Sequence, residues 1–263
     1  MATLHTEVFD PETDDAPTVL ALHGVTGHGR RWAPLAAGAL SDVRIVAPDL
    51  LGHGHSPWQP PWSIDHHVDA ISQVIDDHIP TDARPIVVVG HSFGGALAVH
   101  LAHRRPDVVK GLVLLDPAQG LDPDTALTMA TDTMDHWDYA DADAARSAKM
   151  AEAWGDVPTE LLQQDIDDHL VERPDGRVGW RVSAPAVATA WSEMARPALL
   201  PPPEIPTRIV VADRVQPPFV GAEFLDGCAA DRPDSVRVAH ADCGHMVPFV
   251  EPDLTARLVR ELL

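Results

Sequence analysis

The sequence predicts an α/β fold in which a mostly parallel β-sheet is flanked by helices and carries an inserted helical cap. Three observations predict it. Short apolar runs of strand length alternate with helical patterns, most of these runs are apolar at nearly every position, and one long interval holds helical patterns without a strand pattern. Parallel strands that are covered on both faces have such near-continuous apolar runs, and their alternation with helices is typical of right-handed crossovers.

The strands and helices follow in order along the chain. The predicted strands are Thr18–Leu22, Val43–Ala47, Ile86–Val89, Leu112–Leu115, Arg208–Val211 and Ser235–Ala239. The predicted helices between and after them are Trp32–Leu40, Ile64–Ile79, Ala96–Arg105, Phe219–Ala230 and Asp253–Leu263. The N-terminal segment Thr3–Phe9 is a candidate for one antiparallel strand at the edge of the sheet.

The interval from Pro117 to Pro206 interrupts this alternation. Its helical stretches are Thr125–His136, Ala140–Trp154 and Thr159–Leu170, and it holds the tryptophans Trp137, Trp154, Trp180 and Trp191. We therefore expect two domains, a core of residues 1–117 and 206–263 and a helical cap of residues 118–205. The cap would lie over the carboxyl edge of the sheet, where open α/β folds bind ligands. The tryptophans either line that site or build the core of the cap itself.

Composition excludes several classes of partner. The chain has 263 residues and a formal charge of −21, from 40 acidic and 19 basic residues. Nucleic acids and anionic membrane surfaces bind basic faces, so neither is an expected partner. The sequence has no apolar run that could span a membrane and no signal-peptide pattern, which favours a cytoplasmic location. Cys228 and Cys243 are expected to be reduced thiols because two cysteines form no disulfide framework.

The most informative stretch is a strand, a sharp turn and a helix that meet around Ser92. Ile86–Val89 leads into Gly-His-Ser-Phe-Gly at residues 90–94, and the helical segment Ala96–Arg105 follows. This arrangement is a nucleophile elbow, in which a strained turn lifts the serine hydroxyl clear of the sheet. The glycines Gly90 and Gly94 remove side chains that would collide in so tight a turn.

A serine nucleophile needs a histidine base and a carboxylate that orients it. Of the 15 histidines, His245 is the best candidate because it follows the last predicted strand and so lies at the same sheet edge as Ser92. His23 and His91 stand beside glycines in turns and are expected to be structural. His53, His55, His66 and His67 have no spacing that supports a metal site, so no metal is expected.

Four motifs together resemble the α/β-hydrolase family over nearly the whole chain. They are Leu-His-Gly-Val at 22–25, Asp-Leu-Leu-Gly-His-Gly-His-Ser at 49–56, the elbow at 90–94 and Gly-His at 244–245. The resemblance implies that the backbone N–H groups of Val25 and Phe93 form an oxyanion hole. It implies no organic cofactor. The serine at position 92 separates the chain from family members with an aspartate nucleophile.

The acid of the triad is the point at which this sequence departs from the family pattern. Register with the family puts Val215 at the customary position, and Asp213 lies two residues before it. Some members carry the acid at the end of the preceding strand, where this chain has Asp116. We favour Asp116 as the acid, with Asp213 as the alternative. A Ser–His dyad and an acid from the cap stay open.

The resemblance implies a serine hydrolase that cleaves small to medium carboxylic esters through an acyl-enzyme. The expected partner is a small-molecule ester with an apolar group. One alternative is a carbon–carbon bond hydrolase or lactonase, whose carboxylate substrates would need an arginine from the cap. The candidates for it are Arg146, Arg173, Arg181 and Arg196. A second alternative is a ligand-binding protein with the hydrolase fold and little turnover.

Overall fold

A computed structural model describes residues 3–13 and 15–263 of the chain. Residues 1, 2 and 14 belong to the predicted core and to the polar N-terminal stretch, and they lie outside the described residues. The strands are β1 (Thr6–Phe9), β2 (Thr18–Leu22), β3 (Arg44–Pro48), β4 (Ile86–His91), β5 (Val109–Leu115), β6 (Leu170–Glu172), β7 (Val178–Trp180), β8 (Thr207–Ala212) and β9 (Val236–Ala241). The α-helices are α1 (Ala33–Ala37), α2 (Ile64–His78), α3 (Phe93–Arg104), α4 (Pro123–Asp135), α5 (Ala142–Lys149), α6 (Thr159–His169), α7 (Ala184–Met194), α8 (Ala222–Asp231), α9 (Val247–Val250) and α10 (Pro252–Arg260).

Seven strands form one sheet in the order β1-β3-β2-β4-β5-β8-β9, and the predicted α/β fold class is confirmed. Every pairing in this sheet is parallel except that of β1 with β3, which is antiparallel at the edge. The side chains of β2 and β4 are buried on both faces of the sheet, as their continuous apolar sequences require. Two hydrophobic cores cover these two faces. Consequently the loops after β2, β4, β5, β8 and β9 all open at one edge.

A helical insertion, residues 118–205, separates β5 from β8, which are neighbours in the sheet. The expectation that this interval holds no strand is wrong, because β6 and β7 pair as a short antiparallel hairpin. Each strand has three residues, too few to show a period-2 pattern in the sequence. The turn between them contains Gly176 at φ +81°, a conformation that glycine adopts without strain.

Three predicted helices are divided or begin later in the structure. The segment Trp32–Leu40 is a 3₁₀ turn at Gly29–Trp32 followed by α1. The segment Ala140–Trp154 is divided into α5 and a π-helical turn at Met150–Trp154. The helix predicted from Phe219 begins at Ala222, because Val220 forms a parallel β-bridge with Gln119 instead. Helix α7 has no counterpart among the predicted helices. Across residues 3–13 and 15–263, no helix is long and apolar enough to cross a membrane.

The core contains five histidines whose side chains are buried and held neutral. They are His23, His53, His67, His91 and His169. Burial lowers the pKa of His53 to about 4 and that of His67 to about 3. Burial also lowers the pKa of the other three well below the usual value. All five must therefore take up a proton when the chain unfolds in mild acid.

We predict that the protein loses stability steeply below pH 6.5. In that range the unfolded chain binds protons that the native state does not, so the free energy of unfolding falls as pH falls. Well below pH 6.5 each histidine approaches a slope of about 1.4 kcal/mol per pH unit, and the five together about 7 kcal/mol per pH unit. Between pH 7 and 6 the slope is about half of this, because the unfolded histidines are only partly protonated. Urea unfolding at pH 7, 6 and 5.5 measures this slope. His67→Leu should reduce it by about one fifth, whereas His136→Gln, at an exposed histidine, should leave it unchanged.

Candidate active site

The turn around Ser92 joins β4 directly to α3. Ser92 has φ +56° and ψ −122°, a conformation that costs a non-glycine residue about 1–3 kcal/mol. Its N–H donates to the carbonyl of Leu115 on β5 at 3.0 Å, and its carbonyl accepts from Gly95 and Ala118. These bonds fix the backbone of the turn between two neighbouring strands. The strain is therefore held by the sheet.

The same turn is packed so closely that two glycines cannot be replaced without a collision. A Cβ atom on Gly94 would lie 2.3 Å from the carbonyl oxygen of Leu22, and one on Gly24 would lie 2.8 Å from Cβ of Ser92. The first contact is with rigid backbone and cannot be relieved by a side-chain movement. The loop after β2 and the turn after β4 are therefore in direct contact.

The hydroxyl of Ser92 is covered in this conformation. The residue is 1% exposed, and Oγ has no hydrogen-bond partner among the described residues. The sequence indicates a hydroxyl lifted clear of the sheet, and the structure adds that neighbouring residues close over it. A substrate can reach Oγ only if some of these residues move.

His245 and Asp116 form a close hydrogen-bonded pair at the same sheet edge. Nδ1 of His245 lies 2.6 Å from Oδ2 of Asp116. The other carboxylate oxygen of Asp116, Oδ1, accepts from the N–H of Ala212 at the end of β8, at 3.1 Å. The carboxylate is buried and fixed by both contacts, so it orients the imidazole and determines which nitrogen carries the proton.

The ring of His245 is held by two aromatic neighbours. The ring centroids of His91 and Phe219 each lie 4.6 Å from its own. Nε2 of His91 donates to the carbonyl oxygen of His245 at 2.8 Å. Burial, and then the proximity of His245, lowers the pKa of His91 well below the usual value, so His91 is a neutral donor that supports the loop.

Asp213, the alternative acid, lies away from this pair. Its carboxylate is exposed and contacts Nδ1 of His240 at 2.8 Å. Val215 is half-buried and packs against the second hydrophobic core. The structure thus brings Asp116, and not Asp213, to His245.

The loop after β2 and the start of α3 carry the two backbone groups that the family resemblance implies. Val25 is half-buried, and Phe93 is buried at the first position of α3. Within the described part of the chain, neither N–H donates to a protein acceptor. A turn closed by the bond from Gly27 N to the Gly24 carbonyl, at 3.1 Å, contains Val25. Thr26 in this turn has φ +58°, which is rare for a β-branched residue.

The other histidines and arginines singled out in the sequence have separate environments. His23 accepts from Leu50 N at Nε2, and its Nδ1 contacts the carbonyl of Gly24. In residues 3–13 and 15–263, no group of three or more His, Cys, Asp or Glu side chains could hold a metal ion. Arg173 lies over the Trp137 ring at 4.5 Å, and Arg196 pairs with Glu193 at 3.1 Å. Among the described residues, none of Arg146, Arg173, Arg181 and Arg196 hydrogen-bonds to Ser92, Asp116 or His245.

Two further carboxylates in the helical insertion contact loops at this edge. Asp156 accepts from the N–H of Gly244, the residue before His245, at 2.7 Å. Asp165 is buried against Arg31, seven residues after Gly24 in sequence. No local motif marks either aspartate, because each contact joins residues far apart in the chain.

A model of the family described as "Alpha/beta hydrolase family" matches residues 19–258. The chain belongs to the α/β-hydrolase family. The curated relative "Lipase LipV" of Mycobacterium tuberculosis (strain ATCC 25618 / H37Rv) is 44% identical over 260 residues, which is 99% of this chain and 97% of the relative. The similarity therefore extends over nearly the whole length of both proteins.

Solved α/β hydrolases share the fold at low sequence identity. E-2-(acetamidomethylene)succinate hydrolase superposes with a TM-score of 0.81 at 20% identity, covering 99% of this chain and 95% of the other. An esterase of a marine microorganism superposes with a TM-score of 0.76 at 17% identity, covering 100% of both chains. At such identities the likeness establishes the fold alone.

We predict that Asp116→Asn lowers kcat for hydrolysis by about four orders of magnitude, because the amide no longer holds His245 in the tautomer that accepts a proton. Asp213→Asn is the matched control and should stay within twofold of the parent protein. Initial rates on a p-nitrophenyl ester measure both. A large loss in Asp213→Asn with parental rates in Asp116→Asn would assign the acid the other way.

Proposed function

We propose that the protein is a serine hydrolase that cleaves small to medium carboxylic esters through an acyl-enzyme intermediate. The observation that carries the proposal is the 2.6 Å contact between His245 and Asp116 at the sheet edge where Ser92 occupies a nucleophile elbow. The whole-length similarity to a protein named as a lipase supports a carboxylic ester as the substrate. No metal or organic cofactor takes part in the proposed reaction.

The proposed mechanism begins with proton transfer from Ser92. Because Nδ1 of His245 donates to Asp116, Nε2 is the nitrogen left to accept the serine proton. Oγ then attacks the ester carbonyl, and His245 returns the proton to the leaving alcohol. Water, activated by the same imidazole, hydrolyses the acyl-enzyme. The Ser92–His245 hydrogen bond would form as the substrate binds, since catalytic hydrogen bonds tighten in the enzyme–substrate complex.

The backbone N–H groups of Val25 and Phe93 are the proposed donors to the oxyanion. Neither donates to an acceptor among the residues that the structure describes, and the loop that carries Val25 contacts the Ser92 turn through Gly24. Donors of this kind act on charge that develops in the transition state, and each contributes about 3–4 kcal/mol.

We propose that the helical insertion is a cap that holds an apolar part of the ester. Phe219 packs on His245, and the Trp191 ring of the insertion lies 6.1 Å from Phe219. These two aromatic rings offer an apolar wall beside the imidazole. The other buried tryptophans of the insertion pack elsewhere: Trp154 against Phe249 and Trp180 against Tyr139. Trp154 thus packs between the insertion and the core, and Trp180 packs within the insertion.

We predict that the parent protein hydrolyses p-nitrophenyl acetate and butyrate, and that Ser92→Ala loses at least three orders of magnitude in kcat. Ser72→Ala removes a hydroxyl that donates to the Val68 carbonyl within helix α2 and serves as the control. A burst of p-nitrophenol equal to the enzyme concentration would report the acyl-enzyme. Equal rates in Ser92→Ala and the parent protein would overturn the proposal. A parent protein that binds these esters without turnover would favour the ligand-binding alternative.

A further inference from the structure

The helical insertion contacts two loops of the core through buried or half-buried carboxylates. We call residues 24–31 the β2 loop and residues 242–246 the β9 loop. Asp165, on α6, contacts the β2 loop, and Asp156, between the π-helical turn and α6, contacts the β9 loop. Both contacts exist only when the insertion is packed against the core.

Asp165 determines where Arg31 points. Nε of Arg31 lies 2.6 Å from Oδ1 of Asp165, and Nη2 lies 3.3 Å from Oδ2. This is a two-point contact between the planar guanidinium and the carboxylate, and it fixes direction as well as distance. Asp165 is fixed in turn by Lys149 and by His28, whose Nε2 lies 3.1 Å from Oδ1.

Asp165 is ionised in this setting. Burial alone raises the pKa of its carboxyl, but the cations of Arg31 and Lys149 outweigh burial and hold that pKa well below the usual range. Lys149 also lies over the rings of Trp154 and Trp180, at 4.3 and 4.0 Å. One ionised carboxylate thus faces two cations, and its contacts with Arg31 hold the guanidinium in one position.

Arg31 connects Asp165 to the strained turn of the β2 loop. The same Nη2 that contacts Asp165 donates to the carbonyl oxygen of Thr26 at 2.8 Å. Thr26 holds a positive φ, and it directly follows Val25, the proposed oxyanion donor. Arg31 contacts Asp165 through two nitrogens and Thr26 through one of them, a geometry that the single nitrogen of a lysine ammonium does not reproduce.

Asp156 acts on the β9 loop through a backbone group. Its Oδ2 accepts from Gly244 N at 2.7 Å and lies 3.3 Å from Nη2 of Arg214. The same Nη2 of Arg214 donates to the carbonyl of Asp242 at 2.7 Å. The residue after Gly244 is His245, so the contact sets the backbone from which the imidazole projects.

We propose that Asp165 and Asp156 are positioning residues, through which the helical insertion holds the oxyanion donor of the β2 loop and the histidine of the β9 loop in place. Neither touches the reacting atoms. The proposal rests on the proposed function of Ser92 and His245 and adds that the packed insertion completes their arrangement. In the structure Ser92 is covered while both contacts are formed.

The test for Asp165 is the effect of Asp165→Asn and Arg31→Lys on p-nitrophenyl butyrate hydrolysis. We expect kcat to fall about 10- to 100-fold, with KM within twofold, because a misplaced donor affects the transition state more than binding. Peptide-resolved hydrogen exchange over residues 24–28 should rise in both variants. Arg31→Lys keeps the buried charge and provides the measurement if Asp165→Asn does not fold.

Asp168→Asn is the matched control. Asp168 lies on the same helix α6 and pairs with Arg30 of the same β2 loop at 3.3 Å, but this pair is more exposed and does not reach Thr26. We expect parental kcat and exchange. An equal loss in Asp168→Asn, or a rise in KM with kcat unchanged in Asp165→Asn, would overturn the role of Asp165.

The test for Asp156 compares Asp156→Ala with Asp156→Asn. Alanine removes the acceptor of the Gly244 N–H, so we expect about a tenfold loss of kcat and faster exchange over residues 243–246. Asparagine retains an acceptor oxygen and should restore kcat to within about threefold of the parent protein. Asp242→Asn, which removes an exposed carboxylate near Arg214, is the control and should not change the rate.

The two proposals can fail separately. If the parent protein and Ser92→Ala are equally inactive on the ester, the proposed function fails, and the exchange data still report whether Asp165 and Asp156 hold their loops. If the parent protein is active and all of the Asp165, Arg31 and Asp156 variants match it in kcat and exchange, the positioning proposal is wrong.

Discussion

The site depends on the close packing of the β4–α3 turn against the end of β2. At Gly94 the distance to the Leu22 carbonyl leaves no room for a Cβ atom, so the backbone of one element is the wall of the next. This packing and the hydrogen bonds to β5 hold Ser92 at a positive φ. The turn could not keep that conformation as an isolated segment, because the strain would relax. The sheet therefore stabilises the geometry on which the proposed chemistry relies.

Strain is concentrated at this one edge. Among the described residues, the non-glycine residues with positive φ are Thr26, Ser92 and Asp116, which follow β2, β4 and β5 respectively. These strands are consecutive neighbours in the middle of the sheet, in the order β2-β4-β5. Their parallel direction brings the proposed oxyanion donor, nucleophile and acid together. Residues held in such conformations are over-represented at functional sites, where the surrounding fold over-determines them.

The placement of the acid after β5 follows from the same neighbour relation. β5 pairs with β8, so a carboxylate at the end of β5 can accept the N–H of Ala212 and still reach His245. The helical insertion also contacts backbone groups that are distant in sequence. Asp165 holds Arg31, which donates to the Thr26 carbonyl, and Asp156 accepts directly from the N–H of Gly244. Backbone groups are thus fixed by partners distant in sequence.

The sequence by itself determined the α/β fold, the strands that carry the motifs, and the candidates Ser92 and His245. It could do so because strand burial and the elbow leave local traces in periodicity and in glycine placement. It favoured Asp116 over Asp213 only because Val215 occupies the position at which the family usually carries its acid. The tertiary structure decided which carboxylate lies against His245, since both follow strands at the same edge and differ in the direction of the side chain. It also decided the β6–β7 hairpin and the contacts of Asp156 and Asp165, because three-residue strands and single contacts between distant residues leave no periodic signal in the chain.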